Sequence, residues 1–515
     1  MVAPNSFQEL PERVVMNRCI YPGLLGLALL LSACTASQPN RQELDDPNRT
    51  WIAEDGREYR LERLEKRPDT YQMTADGRLR WYPGGTFDIE RETDDAFYVR
   101  QYAPVPAVPP PELVEPTPVD PAVESALTVT DLSQGLPTTG QWRDHLDVVD
   151  LNGDQHLDLL VPPIRKSFNM APEVFLGQAD GHWQRWDNRR FPTSRFDYGA
   201  AASADINGDG HADVAVGMHI LGIRAFLGDG AGTFTEHSQG LPVPTAGQSP
   251  ALSSRQIAFV DWNQDRMPDL VVLNERLGQD PKSPYRDGAV VFSNLGDHWQ
   301  ALPTVPALHT ARVMAQDAAR SVLLLSAGTV DAGQMVISER HGKRWTEHVV
   351  NHLLPSSQLT AMAVTAGKNG ADRIALAYQS RSPKSWWLDV ELMTRTGRDW
   401  QRQTLIRIPV SLAIRDLHFL NVGTDHLQLA AINAAGQIEI WSHRDKATWV
   451  RHAPIPVPEW RLGCAGFGLH AADLDADGRD ELIANVAGDP PMIRTGKDCT
   501  GEGGIQVLKL ATDGR

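Results

Sequence analysis

The stretch Asp205-Ile206-Asn207-Gly208-Asp209-Gly210-His211-Ala212-Asp213 decides the fold of this 515-residue chain. Acidic or amide side chains occupy its first, third, fifth and ninth places, and the apolar run Val214-Ala215-Val216 follows directly. Glycine at the fourth and sixth places permits the left-handed backbone of a tight loop. The stretch therefore predicts an oxygen-rich loop that leads into a buried strand.

The same pattern occurs four times, and we number the copies in chain order as loop 1 (150–158), loop 2 (205–213), loop 3 (261–269) and loop 4 (473–481). The candidate ligand side chains are Asp150, Asn152, Asp154 and Asp158; Asp205, Asn207, Asp209 and Asp213; Asp261, Asn263, Asp265 and Asp269; and Asp473, Asp475, Asp477 and Glu481. The seventh place offers a backbone carbonyl, from His156, His211, Met267 and Arg479.

This ligand set predicts calcium, up to four ions. Ca²⁺ takes six to eight oxygens in an adaptable shell, whereas Mg²⁺ demands a stricter octahedron and is the second choice. No Cys or His side chain stands at a ligand place, which argues against zinc and copper. The alternative is an Asx-rich turn that hydrogen-bonds itself. Loop 3 fits least well, because Gln264 replaces the turn glycine and Pro268 precedes the last ligand.

Loop spacing predicts seven repeats. Loops 1 to 3 lie about 55 residues apart, and loop 4 follows after about four such periods, which leaves room for three repeats without the carboxylates. A turn glycine before an aromatic residue marks the repeats, and it recurs between loops 3 and 4 at Gly342 with Trp345 and at Gly397 with Trp400. Four short strands in each repeat predict an all-β, seven-bladed β-propeller. Val129–Pro137 resembles Phe234–Pro242, so an N-terminal strand is predicted to close the last blade.

The motif Asp-x-Asn-Gly-Asp-Gly-x-x-Asp, followed by a strand and Gly-x-Phe-Thr, resembles the FG-GAP/VCBS repeat of integrin α-subunits and bacterial surface proteins. The resemblance covers residues 126–515 and implies calcium in the blade loops and a role in adhesion or complex assembly. Repeats four to six depart from it, since Gln316-Asp317-Ala318, Gly367-Lys368-Asn369 and Val422-Gly423-Thr424 cannot supply the ligands. The calcium blades 7, 1, 2 and 3 are therefore expected to be contiguous in a closed ring.

The N-terminus predicts export. Residues 1–33 contain an apolar run from Pro22 to Leu31 that is too short to span a bilayer, and Met16 is a candidate true start. Leu31-Ser32-Ala33-Cys34 resembles the lipobox of bacterial lipoproteins, which implies lipidation of Cys34; Thr35 after it implies the outer membrane. An ordinary signal peptide or a short membrane anchor is the alternative. Cys464 and Cys499 then remain in an oxidising compartment and are predicted to pair, with two free buried thiols as the alternative.

The remaining segments are a lipid-anchored tether (34–48), a small module of unknown fold (49–102) and a proline-rich linker (103–125) before the propeller (126–515). The formal net charge of −16 disfavours nucleic acid as a partner. No catalytic motif occurs.

We therefore expect a non-enzymatic calcium-binding propeller on a lipid anchor. It would mediate protein–protein or adhesion-type interactions at the cell envelope, with an envelope or surface protein, or a glycan, as partner, and would meet the membrane through its anchor only. The alternative is a polysaccharide-active enzyme or carbohydrate-binding propeller. A cluster of Asp, Glu and Arg with aromatic residues in the central channel would favour that alternative.

Overall fold

The computed structural model describes residues 115–511 with gaps at 125–126, 166–169, 245–251, 276–282, 286–287, 304–310, 327–333, 352–356, 368–369, 383, 398, 423–426, 444–448, 489–498 and 500, and six strands between residues 50 and 101. The predicted signal peptide, Cys34 and the tether lie outside the described residues. The chain divides into two compact units, Met1–Glu112 and Leu113–Arg515. Within the described part, no helix has the length and apolar character needed to cross a membrane.

The first unit contains one six-stranded sheet in the order β3-β4-β2-β1-β6-β5. Its strands are β1 (Thr50–Ala53), β2 (Glu58–Leu61), β3 (Gln72–Met73), β4 (Arg78–Arg80), β5 (Phe87–Glu92) and β6 (Ala96–Gln101).

The second unit contains seven sheets of four antiparallel strands, and these strands are consecutive in the chain in blades 1 to 6. The sheet of blade 6 has a fifth strand, which is parallel. Blades 1 to 3 are β9 (Asp147–Val149), β10 (Asp158–Val161), β11 (Glu173–Gly177) and β12 (Trp183–Arg185); β13 (Gly199–Ala204), β14 (Asp213–Met218), β15 (Gly222–Gly228) and β16 (Phe234–Glu236); and β17 (Ile257–Val260), β18 (Asp269–Asn274), β19 (Gly288–Asn294) and β20 (Trp299–Ala301).

Blades 4 to 6 are β21 (Val313–Asp317), β22 (Val322–Ser326), β23 (Gln334–His341) and β24 (Arg344–Asn351); β25 (Ser357–Gly367), β26 (Gly370–Arg381), β27 (Trp386–Thr396) and β28 (Asp399–Ile408); and β29 (Ile414–Asn421), β30 (Leu427–Asn433), β31 (Ile438–His443) and β32 (Trp449–His452). Blade 7 is β33 (Ala465–Ala472), β34 (Glu481–Ala487), β35 (Gly503–Leu510) and β8 (Val129–Asp131). Two 3₁₀ turns, Ala318–Arg320 and Glu459–Arg461, complete the described helical residues of this unit.

The ring closes as the sequence predicts. The first strands of neighbouring blades contact one another, as in β9 with β13 and β29 with β33, so they surround a central channel. The N-terminal strand β8 pairs antiparallel with β35, Leu508 opposite Asp131 and Leu510 opposite Val129. The seven-bladed, all-β prediction is confirmed. Cys464, directly before β33, forms a disulfide with Cys499 in the same blade.

Residues 115–124, the described part of the predicted linker, run along the outermost strands of blades 5 and 6. Val119 exchanges two backbone hydrogen bonds with Arg407 of β28, at 2.8 and 2.7 Å. The strand β7 (Val123–Glu124) then pairs in parallel with β32. We call residues 115–131, which continue into β8 on blade 7, the outer strap; it covers sheet edges that would otherwise offer unpaired backbone groups.

Apolar side chains between and within the blades form the core. Leu159 and Leu160 of blade 1 are fully buried, as are Val214 and Val216 of blade 2. The marker aromatics that open the fourth strands pack inward too: Trp299 is 2 % exposed, and its indole N–H donates to the carbonyl of His237 at 2.8 Å. Trp183 does the same toward Leu132 at 2.9 Å. These tryptophans therefore hold blades together.

Candidate functional site: the acidic loops and the channel

All four acidic loops share one backbone conformation, and each joins the first strand of its blade to the second. The fourth and sixth places have positive φ in every copy: 75° and 71° at Gly153 and Gln155, 77° and 85° at Gly208 and Gly210, 65° and 75° at Gln264 and Arg266, and 56° and 83° at Ala476 and Gly478. Four of these places hold residues that adopt the left-handed conformation at an energetic cost, whereas glycine adopts it freely: Gln155, Gln264, Arg266 and Ala476. The four loops lie at one end of the ring because they connect equivalent strands.

The first carboxylate of each loop gathers backbone N–H groups. In loop 2, Asp205 Oδ1 accepts from Gly208 at 2.7 Å and from Asp209 at 3.1 Å, while Oδ2 accepts from Gly210 at 3.0 Å. The N–H of the seventh residue donates to the fifth carboxylate in all four copies, at 2.8 to 3.0 Å; the donors are His156, His211, Met267 and Arg479. The loops are thus preformed, and the carbonyl role of the seventh residues stays a prediction.

The ninth carboxylate is buried and ties its loop to the sheet. Asp213 is fully buried; Oδ2 accepts from Ile206 N–H at 2.7 Å and Oδ1 accepts from Gly228 N–H, on the third strand, at 2.8 Å. Asp158 of loop 1 repeats this with Leu151 and Gly177 at 2.9 and 3.0 Å. Each carboxylate oxygen keeps a lone pair after accepting one N–H, so both can still contribute to a cation.

The electrostatics of loops 1 and 2 favour a cation. Burial, with the charges of Asp154 and Asp150 adding to it, raises the pKa of Asp158 to about 7. Burial raises the pKa of Asp213 in the same way, with Asp209 and Asp205 as the neighbouring charges. A divalent cation bound by the oxygens at places 1, 3, 5 and 9 would relieve this repulsion. The donor chemistry of these two loops fits calcium.

Loop 3 has a different neighbour. Asp261 Oδ1 is buried and has no hydrogen bond among the described residues. The guanidinium of Arg340, from blade 4, lies 3.8 Å from the centre of the Trp262 ring, and it donates to the Trp262 carbonyl. Burial lowers the pKa of Arg340, and the negative charges of Asp269 and Asp261 oppose this shift. A cation site therefore fits loop 3, with an arginine beside it.

The carboxylates of loop 4 contact a positively charged side chain of the same protein. The ammonium of Lys509, on the third strand of blade 7, contacts Asp475, Asp477 at 2.8 Å and Glu481 at 2.9 Å. Asp473, Asp475 and Glu481 form the one group of metal-type side chains in the described residues whose ligand atoms all lie within 4.8 Å of one another. The oxygens of loop 4 thus converge where a positive charge already stands.

Sequence reasoning missed Lys509, because only the strand register relates it to equivalent positions in other blades. In each of these blades, the residue after the ninth place of the loop pairs with a residue of the third strand. The next residue along that third strand is Leu176, Leu227 or Ser293 in blades 1 to 3, and it is Lys509 in blade 7. Ser293 confirms the equivalence: its hydroxyl donates to Asp269 Oδ1 at 3.0 Å. A charged residue at this register position occurs in blade 7 and not in blades 1 to 3.

At the other end of the ring, a charged cluster lies at the mouth of the channel. It consists of residues that precede first strands or follow second strands in blades 1 to 3, and we call it the mouth cluster: Asp144, Arg165, Tyr198, His219, Arg255 and Glu275. Arg255 bridges the two acids, with Nη1 at 3.6 Å from Asp144 Oδ1 and Nε at 2.6 Å from Glu275 Oε1.

Asp144 is the unusual member of the mouth cluster. It is 8 % exposed, has a positive φ of 63°, and its Oδ2 has no hydrogen bond among the described residues. Burial raises its pKa to about 6, against the opposing charge of Arg255. The Glu275 pKa is lowered despite burial, by His219 and Arg255. Backbone strain and perturbed acids that are not needed for packing are typical of functional sites.

Aromatic and histidine rings line the same region. Tyr198 lies 5.0 Å from the His219 ring, and the Arg165 guanidinium lies 5.8 Å from the Tyr198 ring. Deeper in the channel, the His470 ring lies 6.2 Å from that of His145 and 5.5 Å from that of His418. No spacing in the sequence relates these residues; only the closed ring brings them together.

Part of the chain is similar to a known family of repeats. Residues 150–216 match the model of the FG-GAP-like repeat. No curated protein matches the chain. Among solved structures, BBS1N in complex with ARL6DN has a TM-score of 0.42 at 10% identity, covering 77% of this chain and 99% of its own. The N-terminal domain of Nup159 has a TM-score of 0.43 at 10% identity, covering 76% of this chain and 98% of its own.

The BP39L lectin from Burkholderia pseudomallei has a TM-score of 0.41 at 11% identity, covering 67% of this chain and 93% of its own. The matched repeat, residues 150–216, runs from the start of loop 1 through loop 2 to Val216 in the strand that follows. This part of the chain therefore matches an FG-GAP-like repeat, and it lies within a seven-bladed β-propeller.

Proposed function

We propose that this protein is a non-enzymatic, calcium-braced propeller that presents a rigid surface for protein–protein interaction at the cell envelope. The observation that carries the proposal is the shared geometry of the acidic loops: the same backbone, with carboxylates at places 1, 5 and 9, at one end of the ring. Carboxylates this close repel one another by about 1 kcal/mol per pair even in a water-like dielectric. Bound calcium would offset that repulsion and would brace the corner between the first and second strands of a blade.

The predicted lipidation of Cys34 supports the envelope location. If Cys34 carries the lipid, the chain reaches its first described strand at Thr50 after only a short polar segment. The disulfide between Cys464 and Cys499 suits an oxidising compartment. We place the protein at the outer membrane on these grounds. Metabolic labelling with a palmitate analogue tests this, since Cys34→Ser should abolish incorporation.

Calcium binding and partner binding are tested together. Pull-down from the native envelope with the full-length protein, with calcium and with EGTA, should recover a partner only when calcium is present. In parallel, the thermal unfolding midpoint of the purified protein should fall on addition of EGTA. An unchanged midpoint would count against the calcium brace, whereas a lowered midpoint with no partner captured would count against the interaction role.

Carbohydrate binding is the second candidate, and the mouth cluster favours it. Two acids that share one arginine, beside a tyrosine and a histidine ring, offer both acceptors and donors to sugar hydroxyl groups. The near balance of acidic and basic side chains suits a neutral ligand. Screening of the full-length protein on an oligosaccharide array, beside Glu275→Gln, tests this candidate. Binding that the variant loses would support it, and no binding above background would exclude it.

A further inference from the structure

We propose that Lys509 is the resident cation of loop 4, so that this loop holds no calcium in the natural chain, whereas loops 1 to 3 do. The inference deepens the proposed function and rests on it for loops 1 to 3 alone. It divides four loops of similar sequence into two kinds, according to a residue of the third strand that in blade 7 lies 28 positions after the end of the loop, since 509 − 481 = 28.

The position of the ammonium carries the inference. Lys509 Nζ lies 2.8 Å from Asp477 and 2.9 Å from Glu481, and it contacts Asp475 as well. These are three of the four side chains that would hold the metal. Calcium would need their oxygens at 2.3–2.6 Å from its own centre, which is the place that the ammonium occupies. The two cations therefore exclude each other.

The local electrostatics agree with a resident lysine. Lys509 forms ion pairs with Asp475, Asp477 and Glu481, so three carboxylates surround its charge. The side chain of Lys509 is only 27% exposed, and its strand is paired on both sides, with Thr130 opposite it on β8. Because the lysine is part of the chain, its contact with loop 4 costs no translational entropy, whereas binding of a free calcium ion does.

Loop 4 also has a partner that replaces part of a metal's bracing role. Asp480 exchanges hydrogen bonds with Asn421 of blade 6: its N–H donates to the Asn421 carbonyl at 2.7 Å, and its Oδ2 accepts from the Asn421 N–H at 2.6 Å. The corner of blade 7 is thus held from the third strand and from the neighbouring blade. It follows that the blade that closes the ring stays intact when calcium is withdrawn.

Bound calcium per chain is the decisive measurement. The full-length protein, purified in detergent and dialysed against Ca²⁺ alone, would be analysed for bound metal beside Lys509→Leu, which copies blades 1 and 2, and Lys509→Ser, which copies blade 3. We expect both variants to bind one calcium ion more than the natural chain. The gain should disappear when Glu481→Gln is added. Lys343→Leu, which removes an exposed lysine from a turn of blade 4, should leave the number unchanged.

Equal calcium binding by the natural chain and both Lys509 variants would overturn the inference. So would a natural chain that loses one ion on Glu481→Gln substitution alone. The result also separates the inference from the proposed function. No calcium in the natural chain, but one ion in Lys509→Leu, would refute the calcium brace in loops 1 to 3 and leave the role of Lys509 standing. A variant that does not fold without calcium and folds with it would support the inference as well.

Discussion

Blades 2 and 5 turn the same corner, from first to second strand, in two different ways. In blade 5 the strands are 11 and 12 residues long, and their ladder continues to the pair Gly367 and Gly370 at the very tip. In blade 2 both strands have 6 residues, and the nine places of loop 2 replace the rest of the ladder. Backbone pairing holds one corner, and carboxylates hold the other.

The difference teaches where each blade obtains its rigidity. Blade 5 adds ion pairs across its outer strands, with the Arg407 guanidinium contacting Asp389 and, at 3.2 Å, Glu391. These charges balance within the blade and need no ion from solution. Loop 2 carries three carboxylates with no basic side chain within ion-pair distance among the described residues. Its corner should therefore depend on the medium, and that of blade 5 should not.

Calcium removal should have the largest effect, and this effect should fall on the corners of blades 1 to 3 and spare that of blade 5. A site held at 100 times its dissociation constant contributes about 2.7 kcal/mol to the free energy of unfolding, so three sites give about 8 kcal/mol. Hydrogen exchange with and without EGTA should show faster exchange for Ile206 and Gly228 N–H and no change at the Gly367–Gly370 corner. Equally faster hydrogen exchange at both corners would contradict the difference between blades 2 and 5.

Removal of the disulfide tests blade 7, whose corner we assign to internal contacts. The bridge spans a sequence separation of 35 residues, for which chain entropy predicts a loss of about 3–4 kcal/mol in Cys464→Ser with Cys499→Ser. Because the ammonium of Lys509 takes the place of calcium at loop 4, this loss should be the same with calcium and with EGTA. Chemical denaturation under both conditions measures it. A loss that grows markedly in EGTA would mean that blade 7 relies on calcium after all.

The opposite end of blades 1 to 3 should show a cost in stability that depends on pH. Asp144 has a folded-state pKa of about 6 against its usual 3.8, so the folded protein binds this proton more tightly than the unfolded chain. Its contribution is fully present below pH 4 and is lost as the pH rises through about 6. Asp144→Asn should therefore be more stable than the natural protein by about 1–3 kcal/mol at pH 7.5.

The advantage of Asp144→Asn should vanish near pH 4, which urea unfolding at several pH values would show. Burial is the main cause of the raised Asp144 pKa; Glu275 adds to it, and the charges of Arg255, His145 and Arg143 oppose it. A variant that is less stable at pH 7.5 would mean that the ion pair with Arg255 outweighs the cost of burial.

Gln264 offers the smallest effect and a comparison among the acidic loops themselves. Its φ of 65° is one that glycine adopts without strain, as Gly153 and Gly208 do in loops 1 and 2. Gln264→Gly should raise the free energy of unfolding by about 1 kcal/mol. Thermal unfolding measures the gain, and Gln155→Gly in loop 1 is the matched test at the sixth place. Loss of stability would show that the Gln264 side chain, which lies near Gly342, contributes more than the strain costs.

Local periodicity explains what the sequence could predict. Loops 1 to 4, the glycine–aromatic markers and the matching segment at Val129 are all repeated patterns, so they determine the blade count and the closing strand. Lys509 could not be found in this way, because it reaches loop 4 across a strand pair. The mouth cluster was out of reach for a similar reason: Asp144 and Glu275 meet at Arg255 only once the ring has formed.

The sequence predicted a linker where the outer strap lies, and it did not predict that this segment pairs with the blades. Its proline-rich composition is typical of an extended spacer, and extended chain is also what an open sheet edge can pair with. Val119 and β7 show this pairing on blades 5 and 6. Composition thus predicted the conformation of this segment and was silent about its neighbour.

The strap also decides how the ring responds to mechanical load. Tension that enters from the N-terminal side arrives first at Glu115, which accepts hydrogen bonds from Ser382 at 2.8 Å and from Lys384 at 3.1 Å, and then at Val119. Asp120 adds a 2.9 Å ion pair to Arg451 before the chain reaches β8. These contacts bear the load one after another along the chain. Each must break before force can pull the closing strand β8 away from blade 7 and open the ring.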